Sequence, residues 1–368
     1  MTPRQQEAYD LRTQGMTRKQ IADHMNISDS AVKHLLARAK VWLNADPAAR
    51  EAATIAGSQS IPHSFWKKTD THSIYYKTPV DDTKADVLSD IADAFQNVPA
   101  YRPNPVAPIG NDLMTVYPLY DMHIGMLAWA RETRGQDYDL DLAKQDLVQS
   151  IKIVSDRSPN ADKALIILGG DTIHVNDHFN ETPASKHHQD ADGRFEKIVD
   201  VAIEAIAHVI EVLAENHSEV SVVILRGNHD ETSHIVLKAA FKQRYRLCER
   251  IKFPSIDKFD KSEIYWHRHG RSLIAAHHGD KIPPQRLAMI VADICPFWSD
   301  TRHRTILTGH RHTMQVQDFP GVTHYSLRAF CPPDAYGSMF GGVRGLSAMT
   351  YCAKSGIVNV ASDPIERD

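Results

Sequence analysis

The sequence predicts an α/β protein of layered sheets and helices preceded by a small all-α domain, on two observations. From Leu113 onward, short apolar runs of strand length alternate with longer stretches whose apolar residues recur at helical spacing, the pattern of sheets covered by helices. Residues 1–43 hold no such strand-length runs and carry three helix start signals in close succession. With 368 residues, 42% hydrophobic and 24% charged, the chain has the balance of an ordinary multidomain globular protein. That excludes a mainly disordered, collagenous or coiled-coil molecule. The longest apolar helical stretch, Val201 to Leu213, is interrupted by Glu204, His208 and Glu211, which excludes a membrane-spanning helix. The amino terminus lacks the apolar core of a signal peptide, so a cytoplasmic protein is expected. Cys248, Cys295, Cys331 and Cys352 lie far apart with no C-x-x-C pair and are expected to be packing residues. A net charge of −4 rules out a chain that coats polyanions with its whole surface, but not a basic module within it. The compositional outlier is 21 histidines, the commonest metal-ligand side chain.

In chain order, Thr2-Pro3-Arg4-Gln5 is a capping box with proline at the first helical position, and Gly15 ends that helix. Thr17-Arg18-Lys19-Gln20 is a second capping box, opening a helix with Ile21, Ala22 and Met25 on one face. Asn26-Ile27-Ser28 makes a turn, and Ser28 caps a third helix bearing Val32, Leu35, Leu36 and Ala39 at helical spacing. Two capped helices joined by a short turn make a helix-turn-helix, a 1–43 domain for DNA with Arg18, Lys19, Ser30, Lys33, His34 and Arg38 on its outer face. The segment Gln14-Gly15-Met16-Thr17-Arg18-Lys19-Gln20-Ile21-Ala22, then Ile27-Ser28-Asp29-Ser30-Ala31-Val32-Lys33, resembles the LuxR and sigma-region-4 type. Asp29 departs from that face and weakens phosphate contact there. A trihelical interaction module is the other reading.

Residues 44–112 read as a linker. Asn44 to about Gly57 is alanine-rich and polar; 65–68 and 74–77 are the arms of a hairpin with aromatic and lysine side chains; Thr83 to Asn97 is a short amphipathic helix. That hairpin either stacks on bases or forms a small aromatic cluster. Pro99 to Pro108, with four prolines, is a stiff spacer.

In the domain 113–368, strands are expected at 114–120, 164–168, 220–225, 264–267, 273–276 and 305–307, with helices between them, notably at 140–154, 195–215 and 235–248. Short strands at 315–318, 322–327, 348–353 and 357–361 are expected to close a second sheet.

Five polar clusters follow the carboxyl ends of these strands, where open α/β sheets place their ligands. They are Asp121-Met122-His123, Gly170-Asp171, Gly227-Asn228-His229-Asp230, His277-His278-Gly279 and Gly309-His310-Arg311-His312. Oxygen and imidazole donors without thiolate suit two divalent ions, manganese first, with iron, zinc, nickel and magnesium as alternatives. The stretch from His174 to His188 is either a polar loop or a lid that touches substrate.

The ordered pattern D-x-H … G-D … G-N-H-D … H … G-H-x-H resembles the calcineurin-like metallophosphoesterases over Leu113 to Leu346. That resemblance implies a βαβαβ two-sheet sandwich flanked by helices. It places Asp121, His123 and His312 on one metal, Asp171 between the two, and Asn228, His278 and His310 on the other. It makes His229 the acid that meets the leaving oxygen and Asp230 the residue that orients it. His278 is favoured over His277 as ligand because it directly precedes glycine. The chemistry requires these types: paired ions clamp a phosphate and activate a water, and an imidazole donates a proton near neutral pH.

Asp-Met-His-Ile-Gly and Gly-Gly-Asp-Thr-Ile-His-Val-Asn resemble the SbcD-type DNA double-strand-break repair nucleases more than the Ser/Thr phosphatases, whose motifs run G-D-x-x-D-R-G and G-N-H-E. The SbcD-type capping domain and partner ATPase are not implied. The pairing of modules resembles phage-encoded phosphoesterases. The expected function is therefore a metal-dependent DNA phosphodiesterase recruited by the helix-turn-helix. A phosphatase or cyclic-nucleotide phosphodiesterase on a small substrate, and a DNA-binding regulator with an inert phosphoesterase domain, are the alternatives. Both resembled families tend to dimerise, so a homodimer is compatible with the sequence, and no membrane partner is expected.

Overall fold

The computed structural model describes residues 2–45, 47–55, 64–68, 73–77, 101–133, 135–254, 263–334, 337–339 and 342–366. The chain divides into two compact units, Met1–Asp90 and Ile91–Asp368. Among the described residues no helix is long and apolar enough to cross a membrane.

The first unit begins with α1 (Pro3–Thr13), α2 (Arg18–Met25) and α3 (Asp29–Asn44). Both expected capping boxes form: Gln5 N–H donates to Thr2 Oγ1 and Gln20 N–H to Thr17 Oγ1, while each glutamine side chain accepts from the cap backbone. Asn26 ends α2 in the left-handed region, and Ser28 caps α3 by accepting from Ala31 N–H. Ala8, Ile21, Ala22 and Val32 form the small core, with Leu11, Met16, Met25, Ile27, Leu35 and Leu36 packed around it.

The segment expected as a linker from Asn44 contains a helix, α4 (Pro47–Ile55). Its alanines are strong helix formers rather than spacers, and Ala49 and Ala53, one turn apart, are fully buried. The expected hairpin is present as an antiparallel pair, β1 (Ser64–Lys68) and β2 (Ser73–Lys77). The helix expected over Thr83–Asn97 lies outside the described residues, and so do the side chains of the hairpin.

The second unit is built on two sheets. The six-stranded sheet runs β13-β12-β3-β4-β5-β6 and the five-stranded sheet β10-β11-β9-β8-β7. In the first, β3 (Leu113–Leu119), β4 (Lys163–Leu168), β5 (Glu219–Ile224) and the two-residue β6 (Ile251–Lys252) are parallel. Between them come the short α5 (Ala130–Thr133), then α6 (Leu140–Asp156), α7 (Phe195–Asn216) and α8 (Ser233–Arg244). In the second sheet, β7 (Tyr265–His269) and β8 (Ser272–Ala276) form a hairpin, and β9 (His303–Thr308) lies parallel to β8 after α9 (Pro284–Ile294). β6 and α9 were not anticipated: a two-residue strand has no pattern to read.

Period-two alternation sorts the strand side chains between layers. Ala164, Ile166 and Leu168 face a core shared with α6 and α7, whereas Leu165 and Ile167 face a second core shared with Ile274, Ala276 and Leu307 of the other sheet. Leu273, Ala275 and Ile306 turn outward to pack on Leu287 and Val291 of α9. The result is a helix–sheet–sheet–helix sandwich, as the fold class predicted.

The carboxyl-terminal strands divide rather than closing one sheet. β10 (Gln315–Phe319) and β11 (Val322–Ser326) extend the five-stranded sheet, but β12 (Leu346–Cys352) crosses over and pairs antiparallel with β3, followed by β13 (Gly356–Asp363). The crossing segment is stitched to the end of β3 by Phe330 N–H to Tyr120 O and Cys331 N–H to Asp121 O. Cys248, Cys295 and Cys331 are buried free thiols, and Cys352 is half-buried.

Two histidines away from the strand ends have a consequence for stability. Burial pushes both His267 and His324 down to about 4. An imidazole protonated more readily in the unfolded chain contributes stability that is complete above its unfolded value near 6.5 and is lost as pH falls towards the folded value. Metal-free protein should therefore melt at progressively lower temperature between pH 6.5 and 4, and His324→Gln should flatten that slope. An unchanged slope would count against the assignment.

Candidate metal centre

Each predicted ligand sits just past the end of a strand, and the backbone there is forced. Asp121, His123, Asp171, His310 and His312 all have φ between 44° and 67°. They are five of the nine non-glycine residues with positive φ among the described residues. Such backbone costs about 1–3 kcal/mol per residue and persists where the surroundings over-determine it. Here the six-stranded sheet does so for the first three: the β3–β4 ladder continues past both strands, with His123 N–H bonded to Asp171 O and Ile124 N–H to Thr172 O. The glycines before the ligands clear the space. A Cβ on Gly227 would lie 2.0 Å from Asp171 Oδ1, and one on Gly309 would lie 2.4 Å from Asp121 Oδ2.

The structure gathers the predicted ligands into two sets whose donor atoms lie within 4.8 Å of one another, Asp121 with His123 and His312, and Asp171 with His278 and His310; a third group of this kind joins His123 to His174 and His229. Asp171 lies between them, its Oδ2 3.2 Å from His278 Nε2 and 3.8 Å from His123 Nε2. Asn228 Oδ1 is 3.0 Å from His278 Nε2. Asp121 Oδ1 is 3.7 Å from His312 Nε2, while Asp121 Oδ2 accepts from His310 N–H. Donor atoms about 2.0–2.2 Å from a shared cation fall at separations of this order.

The electrostatics suit a cation. Asp121 Oδ1 and His123 Nε2 are buried with no hydrogen-bond partner among the described residues, an arrangement that is costly unless something fills the gap. Burial holds the His123 imidazole well below its usual range, hence neutral and able to donate its lone pair. Burial also raises the Asp121 carboxyl, against the charges of His312 and His278. Burial acts on Asp171 in the same sense, but the charge and hydrogen bond of His278 lead the influences that outweigh it and leave that carboxyl well below the ordinary range. His278 is the counterpart: despite burial, Asp171, Asp121 and Asp230 push it up to about 10.

The adjoining histidine is a different matter. His277 is buried too, but its Nδ1 accepts from Gly279 N–H and it joins neither set.

His229 faces the centre, its ring 4.7 Å from that of His123, and its backbone N–H donates to Asp171 Oδ1. Its neighbours were not anticipated. His174, expected only as part of a polar loop or lid, is 2% exposed, and its Nδ1 is 3.1 Å from His123 Nδ1. Burial pushes it down to about 3, so it stays neutral. Buried Gln189 joins the group, its Nε2 bonding both His174 O and His229 Nδ1. The spacing of Asp171 and His174 on one continuing ladder was a readable signal; nothing local marked Gln189.

Asp230 departs from its expected role. It does not touch the His229 ring; its carboxylate accepts from Gly227 N–H at 2.6 Å and Thr172 N–H at 2.9 Å. It therefore ties the Asn228 loop to the Asp171 loop, because the two backbone donors satisfy both of its oxygens. Arg226 braces the same loop from outside through Asp280, Glu263 and Glu231.

The centre opens into a cavity of about 680 Å³. Its walls are His123, Asp171, Asn228, His310 and His312, a turn carrying His187, His188 and Gln189, and the segment around Pro332, Pro333 and Val343. The cavity also borders Cys331, whose thiol is pushed far up by burial and is no thiolate donor.

In the first unit, Arg18, Lys19, His34 and Arg38 are exposed and Lys33 is half-buried. The Ser30 side chain lies outside the described residues. Asp29 caps the charge of the α3 amino terminus and pairs with Arg18 at 3.6 Å, which explains an acid on this face.

Residues 1–43 match the family model "Sigma-70, region 4". No curated protein sequence matches the chain. Among solved structures the chain is similar to YfcE, a phosphoesterase from E. coli, at 12% identity and TM-score 0.34, covering 69% of this chain and 100% of that one. It is similar to zinc-complexed Vps29 from Entamoeba histolytica at 12% identity and TM-score 0.29, covering 68% and 98%. It is likewise similar to phosphopantetheinyl hydrolase from Mycobacterium tuberculosis at 10% identity and TM-score 0.28, covering 59% and 89%.

Proposed function

We propose that the second unit is a dinuclear metal-dependent phosphodiesterase acting on DNA, as in calcineurin-like metallophosphoesterases, and that the helix-turn-helix binds that DNA. The observation that carries the reading is the pair of ligand sets meeting at Asp171, with Asp121 Oδ1 and His123 Nε2 buried and unsatisfied. Asp121, His123 and His312 would hold one ion and Asn228, His278 and His310 the other, with Asp171 shared. When bound, the ions polarise the phosphoryl group and lower the pKa of the attacking water. His123 Nδ1 lies 3.1 Å from His174 Nδ1; with His123 as the donor, its tautomer would leave Nε2 for an ion. His229, steadied by Gln189, delivers a proton to the leaving oxygen. Manganese suits an oxygen and imidazole set of this kind.

The first experiment supplies Mn²⁺ to purified protein with labelled linear duplex, circular duplex and single-stranded DNA, beside bis-p-nitrophenyl phosphate. Cleavage of DNA that EDTA abolishes is expected. His229→Ala should lose roughly 10²–10⁴ in turnover while keeping its metal, the range of a missing general acid. Hydrolysis of the small diester alone would replace DNA by a small substrate, and hydrolysis of neither would leave a DNA-binding regulator.

Lys33→Ala and Arg38→Ala should weaken duplex binding in proportion to the phosphates they neutralise, and lower the slope of log K against log salt by about 0.9 per contact. Filter binding across a salt series checks this. Unchanged affinity and slope would remove α3 as the DNA-facing helix.

A further inference from the structure

Two arginines border the cavity, and they are differently occupied. Arg344 is buried, and its guanidinium is consumed by Asp146 at 2.7 Å, Gln136 at 2.9 Å and Phe330 O at 2.8 Å, between the rings of Tyr138 and Phe330. Arg311 is exposed and carries no ion pair or side-chain hydrogen bond among the described residues. Its backbone is held: Arg311 N–H donates to Gly309 O at 2.8 Å, and Arg311 O accepts from Thr313 Oγ1 at 3.1 Å. Its chain neighbours are His310 and His312, both in left-handed backbone and each in a different ligand set. A forked cation is thus carried at the cavity wall on a held backbone, in the turn that reaches both sets, with its donors unspent. A phosphate seated between two ions turns its remaining oxygens towards the cavity, and a guanidinium matches a phosphate edge with two parallel donors.

We propose that Arg311 is a substrate-binding residue that grips a phosphate oxyanion of the substrate. This rests on the phosphodiesterase reading above. The oxyanion belongs either to the phosphate being cleaved or to the next phosphate along the strand; the chemistry of recognition is the same.

The test compares wild type, Arg311→Ala and Arg311→Lys as full chains loaded with Mn²⁺. The substrates are p-nitrophenyl thymidine 5′-phosphate with and without a second phosphate on its 3′ oxygen. Arg311→Ala should raise KM by about tenfold or more, the worth of a hydrogen bond to a charged group, with a smaller change in kcat. Arg311→Lys should recover part of the loss. A rise for both substrates assigns the grip to the cleaved phosphate, and a rise for the bisphosphate alone assigns it to the neighbouring one. Unchanged KM for both overturns the proposal, as does a loss explained by reduced metal content that lysine fails to rescue. Calorimetric titration of inorganic phosphate into the same Mn²⁺-loaded proteins separates this from the wider reading. If wild type hydrolyses neither ester, the phosphodiesterase reading falls, while phosphate binding weakened about fivefold or more in Arg311→Ala still upholds the grip. Equal phosphate affinity, or no phosphate binding by wild type, sinks it.

Discussion

Asp171→Asn should abolish hydrolysis and strip metal from both positions while leaving the fold intact. Asp171 has one oxygen towards His278 and His123 and the other on the backbone N–H of His229. An asparagine oxygen can keep the second contact, so the Asn228–His229 loop stays in place. What is lost is the negative charge that offsets the repulsion of two cations placed about 3.5–4 Å apart. Removing an outer-shell partner typically costs 10–100-fold in metal affinity, and removing a shared ligand should exceed that, with activity down by roughly 10³-fold or more. The fold is expected to survive because asparagine keeps the shape of the side chain and the contact to His229 N–H. His278 loses Asp171, the main influence that favours its charged form, and keeps Asp121 and Asp230 beside it. Metal content by mass spectrometry, turnover of bis-p-nitrophenyl phosphate and circular dichroism read the three quantities separately. Full metal occupancy with near-normal turnover would falsify the assignment of Asp171 as the shared ligand.

The second large effect is expected at a residue with no side chain. In Gly227→Ala the new Cβ would stand 2.0 Å from Asp171 Oδ1 and 2.3 Å from Asp171 N. One of those atoms is backbone, so the clash has no flexible side chain to absorb it. Gly227 N–H also donates to buried Asp230, which pins the loop from the other side. Over-packing of this kind costs about 1–3 kcal/mol, and relief requires the Asp171 and Asn228 loops to separate. Thermal melting should drop by several degrees, and metal binding should weaken even in the fraction that remains folded. A variant that melts and binds Mn²⁺ like wild type would mean that the two loops are not packed as described.

Much of this was legible before any coordinates. The capping boxes at Thr2 and Thr17 and the polar clusters past five strand ends are local patterns, and each appears where the residues placed it. They are readable because a cap and a left-handed turn depend on residues one to four positions apart. Alanine-rich α4 was misread for a related reason: polarity suggested a linker, but helix propensity and the burial of Ala49 and Ala53 prevailed.

Contacts between distant segments were not legible. The crossing of β12 to pair with β3, the meeting of Gln189 with His229, and the turning of Asp230 onto Thr172 N–H each join residues far apart in the chain. Their partners are set by how the sheets stack and where the loops land, and no local periodicity encodes that. The types and order of the candidate ligands were thus a matter of local chemistry, and the choice of His278 over His277 rested on no more than the following glycine. Which histidine faces Asp171, which carboxylate braces instead of orienting, and which arginine is left with open donors followed from packing, since burial and distance decide how each charge is satisfied.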